Sequence, residues 1–253
     1  MDARVGAGWS WRGLQTVAGV TLVLAVAGCG PDPRYSEPVE QPGPVPGSPK
    51  ATSPQKTVAA PSPRPEPTMA ELLWPRHPGD TWQLATATDA GVDTVVVQVA
   101  GSRTDAGMTA FTVETKRGNE VLQSEGYIAD DAGISRVSTG ADGTGRIDPP
   151  MPMLRLPFKP ADAWTWKGRL ISGTTETKAS AKFFLKPPEP VQTKAGRFQA
   201  YKLVQLLTLE LPTGAETLQT TMWLAPGVGL VKQQTDGPGS HASAELIRYQ
   251  VQR

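Results

Sequence analysis

The sequence predicts an all-β, antiparallel domain of about ten to twelve strands, folded into a curved sheet, a half-barrel or a sandwich. Side chains alternate with a period of two, so that Trp164 and Trp166 share one face and Thr165 and Lys167 the other. Turn residues punctuate these runs, at 89–91, 117–119, 212–214 and 236–239. No segment of ten or more residues has a helical period, and the one helical candidate is a turn at residues 69–73.

The first 28 residues have the pattern of an export signal. Arg4 and Arg12 precede an apolar run over residues 14–28. This run of about 15 residues matches the core of a signal peptide and is shorter than the roughly 20 residues of a membrane-spanning helix. We therefore expect export of the chain and removal of residues 1–28.

The apolar run ends in Val26-Ala27-Gly28-Cys29, which resembles the lipobox of bacterial prolipoproteins. The resemblance covers residues 1–29 and implies cleavage before Cys29 and lipidation of its thiol. Two or three acyl chains would then give a firm membrane anchor. In this resemblance an aspartate after the cysteine favours retention in the inner membrane, so Gly30 favours the periplasmic face of the outer membrane in a diderm host. In any other host we expect the lipid anchor to hold the chain at the outer face of the plasma membrane.

Residues 29–68 are predicted to form a lipidated, disordered tether. Residues 30–68 hold 12 of the 25 prolines and a single aromatic residue, Tyr35. Such a segment buries too little apolar surface to offset its chain entropy, and its prolines favour an extended polyproline conformation. A spacer is favoured over a peptide ligand built on the alternating prolines 61, 63, 65 and 67.

The β domain, residues 69–253, contains two similar units, at about 73–139 and 156–235, followed by a final strand at 242–251. Each unit opens with the pattern P-x-x-P-small-D-x-W, which ends at Trp82 in the first and at Trp164 in the second. Downstream, Leu122-Gln123 and Tyr127-Ile128-Ala129 match Leu218-Gln219 and Trp223-Leu224-Ala225 at identical spacing. Three matches in the same order predict an internal duplication, with about five strands in each unit.

The expected architecture resembles the half-barrel of periplasmic lipoprotein carriers in shape and compartment. The segment from Trp223 to Lys232 also resembles one that recurs in uncharacterised bacterial envelope lipoproteins. Neither resemblance implies an activity.

Charge and residue content argue against several classes of function. The chain has 25 basic and 24 acidic residues, without the basic surplus that a nucleic-acid partner requires. It has one cysteine and two histidines, His77 and His241, and neither histidine has a ligand at metal-binding spacing. We expect no metal, no cofactor and no nucleic-acid partner.

No catalytic residue is predicted, and the domain is expected to be non-enzymatic. The predicted β domain, residues 69–253, lacks a nucleophile elbow, an S-x-x-K motif and a phosphate-binding loop. A glycoside hydrolase needs only two carboxylates, for which Asp130 and Asp131 are the nearest pair. A hydrophilic hairpin turn is the favoured interpretation of that pair.

Four tryptophans of the domain are candidates for a ligand groove: Trp82, Trp164, Trp166 and Trp223. Packing in the core is the competing interpretation. The strand around Leu203 and Leu207 is apolar on both faces, because Val204 and Leu206 interrupt its alternation. The predicted function is a membrane-anchored envelope lipoprotein that binds a hydrophobic ligand, such as a lipid, or an envelope protein. The alternatives are a structural or assembly module and a carboxylate-dependent hydrolase.

Overall fold

The computed structural model describes residues 68–252, and the predicted signal peptide, Cys29 and most of the tether lie outside this range. The described chain forms one short helix and twelve strands. They are α1 (Met69–Leu73), β1 (Thr81–Thr88), β2 (Gly91–Asp105), β3 (Met108–Arg117), β4 (Glu120–Asp130), β5 (Gly133–Thr139), β6 (Gly145–Arg155), β7 (Ala163–Ser172), β8 (Thr175–Thr193), β9 (Gly196–Leu211), β10 (Gly214–Ala225), β11 (Gly229–Gly237) and β12 (Ser240–Gln250). The predicted all-β antiparallel fold and strand number are confirmed.

Each strand pairs with its neighbours in sequence, and β1 also pairs with β12, so the sheet closes on itself. The closing register runs from Thr81↔Gln250 to Thr88↔Ala242, with a bulge between Gln83 and Leu84. The curved sheet is therefore a closed barrel and not an open half-barrel or a sandwich. Closure removes both sheet edges, whose unpaired N–H and C=O groups could otherwise pair with other chains.

The core lies on the inward face of this sheet. From Leu203 onward the buried residues of β9 are Leu203, Gln205, Leu207 and Leu209, so the predicted alternation of this part of the strand sets which face is buried. Large buried side chains fill the interior beside β5–β9, among them Ile134, Met151, Trp164, Phe183 and Leu203.

Helix α1 packs on the turn between β10 and β11. Its N-terminus has a capping box, in which the Thr68 hydroxyl accepts a bond from the Glu71 N–H and the Glu71 carboxylate accepts one from the Thr68 N–H. The Gly227 N–H donates to the Leu72 carbonyl at 2.8 Å, and Leu73 is fully buried. The helix therefore fixes the chain against the barrel where the described segment begins. No helix of residues 68–252 is long and apolar enough to cross a membrane.

The segments matched in the predicted duplication lie on strands six apart. Trp82 lies in β1 and Trp164 in β7, and the second matched blocks lie in β4–β5 and β10–β11. The carbonyls of Asp80 and Asp162 accept bonds from Val99 and Leu185, each at 2.9 Å. These equivalent positions agree with a duplication, which stays a prediction.

Candidate functional site

A cavity of about 110 Å³ lies inside the barrel, between β1–β4 on one side and β10–β12 on the other. Its wall includes inward side chains of these strands and the segment after α1. Several of them are only half-buried, so the cavity reaches solvent. The lining residues are Leu73, Trp74, Pro75, Trp82, Leu84, Val95, Val97, Val113, Thr115, Gln123, Glu125, Tyr127, Met222, Leu224, Gly229, Leu230, Gln233 and Ala244.

The size of the sheet explains why space remains here. The diameter of a barrel grows with strand number, and about eight strands already enclose an interior that side chains just fill. In this part of the twelve-stranded ring the inward positions include the small residue Ala244 and a glycine, Gly229. Gly229 has φ +86°, and a Cβ there would lie 2.9 Å from Pro75 Cδ and 3.4 Å from Trp82 Cζ2. A side chain at position 229 would therefore crowd the cavity rim.

Strand β4 gives the cavity one polar wall. The Tyr127 hydroxyl donates to Glu125 Oε2 at 2.9 Å, and Arg136 Nη1 of β5 donates to Glu125 Oε1 at 2.8 Å. The Arg136 side chain is 0% exposed and that of Glu125 13%. The Nε and Nη2 atoms of Arg136 have no hydrogen-bond partner within residues 68–252. The barrel thus buries an ion pair beside an otherwise mainly apolar space.

Burial raises the pKa of Tyr127 well above its ordinary value, and the negative charge of Glu125 raises it further, while Arg136 acts in the opposite direction. The phenol therefore stays protonated and keeps its bond to Glu125 at neutral pH. The ring is stacked on Phe111 at 5.2 Å between centroids and is tilted against Trp74 at 5.4 Å. These contacts hold Tyr127 at the cavity wall.

Of the four predicted groove tryptophans, Trp82 lines this cavity. It lies on β1, is 5% exposed, and its Nε1 donates to the Val228 carbonyl at 2.5 Å. Trp74, which was not among the four, also lines the cavity. Its position just after the predicted helical turn gave no strand alternation from which its direction could be inferred.

Trp164 and Trp166 are buried on β7 and do not line the cavity. Strand β6 pairs with β7 at only three positions, which end at Asp148↔Arg169. Beyond them β6 contains prolines, which have no N–H to donate to the ladder. The Nε1 atoms of Trp166 and Trp164 donate instead to the carbonyls of Pro149 at 3.0 Å and Pro152 at 2.9 Å. The two indoles thus join the strands where the ladder is interrupted.

Trp223 lies on the outward face of β10, since Met222 and Leu224 on either side of it line the cavity. The ammonium groups of Lys202 and Lys232 lie 5.2 and 5.3 Å from its ring centre, and its Nε1 donates to Glu189 at 2.7 Å. The structure therefore does not bring the four tryptophans into one groove. Ligand binding by any of them stays a prediction.

The predicted carboxylate pair lies in the turn between β4 and β5. Asp130 Oδ1 accepts bonds from the N–H groups of Ala132 at 2.9 Å and Gly133 at 3.2 Å, and Asp131 is exposed. Asp130 thus stabilises a hairpin turn. Within residues 68–252 no group of three or more histidine, cysteine, aspartate or glutamate side chains could hold a metal ion.

Comparison with known proteins gives a likeness in fold only. No protein-family model matches the chain, and no curated protein matches its sequence. The crystal structure of a candidate lipoprotein from Parabacteroides distasonis is similar with a TM-score of 0.50 and 11% identity, over 73% of this chain and 100% of that one. At such low identity the likeness supports the barrel fold and no particular activity.

Two further solved structures are more distant. A candidate exported protein with a YmcC-like fold from Bacteroides fragilis has a TM-score of 0.40 and 13% identity, over 71% of this chain and 99% of that one. The hypothetical lipoprotein YmcC from Escherichia coli has a TM-score of 0.34 and 11% identity, over 68% of this chain and 85% of that one. These two scores are too low to carry an argument.

Proposed function

We propose that this chain is a bacterial envelope lipoprotein, anchored through lipid on Cys29, whose barrel holds a slender apolar molecule without catalysing a reaction. The observation that supports binding is the interior cavity of about 110 Å³ with its mainly apolar lining. Protein interiors are close-packed, and most voids in them are smaller than a water molecule. A mainly apolar cavity of this size exceeds ordinary packing voids and supports the proposal that part of a ligand fills it.

The dimensions and lining of the cavity suggest an acyl chain as the occupant. The enclosed space is smaller than the 150 Å³ engineered cavity that binds benzene, so a bulky ring system would not fit. Because the cavity reaches solvent, a chain could place its end between Leu84 and Met222 and leave its polar group outside or near Glu125. Trp74 and Trp82 would contact it from the rim.

The lipid anchor is supported by the lipobox resemblance at Val26-Ala27-Gly28-Cys29. The protein of similar fold from Parabacteroides distasonis is described as a candidate lipoprotein. We expect wild-type protein to incorporate labelled palmitate and to fractionate with membranes. Cys29→Ser protein that still took up the label and was processed normally would contradict the anchor.

Ligand binding can be tested with cis-parinaric acid, a slender fatty acid whose fluorescence rises in apolar surroundings. The protein would be the chain from Gly30 onward, exported unlipidated and purified without detergent. Ala244→Leu places a larger side chain in the cavity, and Ser243→Leu places the same side chain on the outward face of the same strand. We expect saturable binding that Ala244→Leu abolishes and Ser243→Leu retains. Equal binding by all three proteins would contradict a site in the cavity.

A further inference from the structure

Charge is divided unequally between the two halves of the barrel, although the domain as a whole is balanced. Residues 68–144, which include β1–β5, contain 11 acidic and 5 basic residues. Residues 145–252, which include β6–β12, contain 8 acidic and 13 basic residues. Within β7–β9 alone, residues 163–211 hold 8 basic and 3 acidic residues. One side of the barrel is therefore strongly basic.

The lysines of this side lie in register on the outward face of the sheet. Lys186 of β8 pairs with Lys202 of β9, which pairs with Trp223 of β10, which pairs with Lys232 of β11. These three lysines form one row across four strands, with the Trp223 ring between the last two. Lys182 lies four residues from Lys186 on the same face of β8.

An apolar patch lies between Lys182 and the row of three lysines. Two residues along β8 from Lys186, on the same face, Phe184 pairs with Val204 of β9. Two residues further, Lys182 pairs with Leu206. All three apolar side chains are half-buried and face outward, which explains why the sequence of β9 is apolar on both faces. We call the four lysines and these three apolar residues the basic face.

Most of this charge has no acidic partner within residues 68–252. Lys202 lies 3.5 Å from Glu189, but Lys182, Lys186 and Lys232 form no ion pair there. The ammonium group of Lys186 instead lies 5.8 Å from the centre of the Phe184 ring. Unpaired cations around half-buried apolar side chains complement a surface that offers negative charge and hydrocarbon together.

We propose that the basic face docks on the anionic headgroups of the bilayer that carries the lipid anchor. The proposal rests on the anchor of the proposed function, which brings the barrel to a membrane, and is independent of the cavity ligand. The lysines would meet lipid phosphates, and Phe184 and Val204 would lie at the level of the headgroups. The acidic half, around β1–β5, would then face away from the bilayer.

The test uses the full lipidated protein in vesicles of phosphatidylcholine, with and without the anionic lipid phosphatidylglycerol. A water-soluble acetylating reagent labels exposed lysines, and peptide mass spectrometry measures the rate at each one. We expect labelling of Lys182, Lys186 and Lys232 to slow several-fold only in anionic vesicles, and this protection to weaken as salt is added. Lys116 on β3 should label equally in both vesicles.

The paired variant Lys182→Gln with Lys186→Gln should remove the protection of Lys232, whereas Arg103→Gln with Arg117→Gln in the acidic half should retain it. Equal labelling in both vesicles would overturn the docking. Protection in phosphatidylcholine that increases with protein density would also overturn it, since the face would then be covered by a second copy. Failure of the protein to enter vesicles would contradict the anchor itself.

Discussion

Breaking the buried ion pair between Glu125 and Arg136 should strongly destabilise the barrel. Arg136 is 0% exposed, its Nη1 bonds to Glu125 at 2.8 Å, and its Nε and Nη2 have no partner within residues 68–252. Glu125→Leu would therefore leave an uncompensated charge in the interior, at a cost of about 3–5 kcal/mol. Replacing both members, as Glu125→Leu with Arg136→Met, removes that charge, and such exchanges are often neutral or stabilising.

The measurement is urea unfolding of the two single variants, the double variant and the parent. All four carry Tyr127→Phe, because the Tyr127 hydroxyl also bonds to Glu125 and would otherwise lose its acceptor. We expect the double variant to be more stable than Glu125→Leu alone. Arg169→Met, at a solvent-exposed pair in which Arg169 is 47% exposed, should change the free energy of unfolding far less than Glu125→Leu does. Additive losses in the double variant would refute the reasoning.

Three further predictions concern the polar wall and the junction of β6 with β7. The raised pKa of Tyr127 means that its contribution to stability is present below the ordinary tyrosine value of 10.0 and is lost as the pH rises through the folded-state value. An absorbance titration of the folded protein should therefore show a late ionisation step, and Tyr127→Phe should remove that step. Gly168→Val should destabilise the barrel by about 1–3 kcal/mol, because a Cβ there would overlap the Trp166 ring and lie 2.6 Å from the Asp148 carbonyl oxygen. Urea unfolding measures this loss, and an unchanged unfolding midpoint would contradict the packing. Trp166→Phe should cost about 1 kcal/mol or more beyond the lost packing, because the Pro149 carbonyl loses its donor. If the indole joins the two strands, hydrogen exchange at the amides of Asp148 and Met151, which flank Pro149 and Pro150, should accelerate.

The strands could be predicted because each carries a local signal. The alternation of Leu203, Leu207 and Leu209 gave the buried face of β9, and Pro212-Thr213-Gly214 gave the turn into β10. Closure could not be predicted in this way. The pairing of Trp82 with Tyr249 joins residues far apart in the chain, and no local pattern encodes which distant strands pair.

The candidate site was harder to predict for two physical reasons. Charged residues are almost never fully buried unless paired, so Glu125 and Arg136 would be expected on the outer face until their partnership is known. The run Met222-Trp223-Leu224-Ala225 is apolar at every position, so alternation cannot say which of its side chains face inward. Trp223 therefore could not be separated from Trp82 by sequence, although the two lie on opposite faces of the sheet.

The most direct test of the proposed function is native mass spectrometry of the unlipidated chain from Gly30 onward, exported by its host and purified without detergent. Bound material would be extracted and identified, with Ala244→Leu as the filled-cavity variant and Ser243→Leu as its control. We predict one acyl-chain molecule on the wild-type protein and on Ser243→Leu, and none on Ala244→Leu. An empty wild-type protein, or a lipid retained equally by Ala244→Leu, would contradict a ligand held in the barrel.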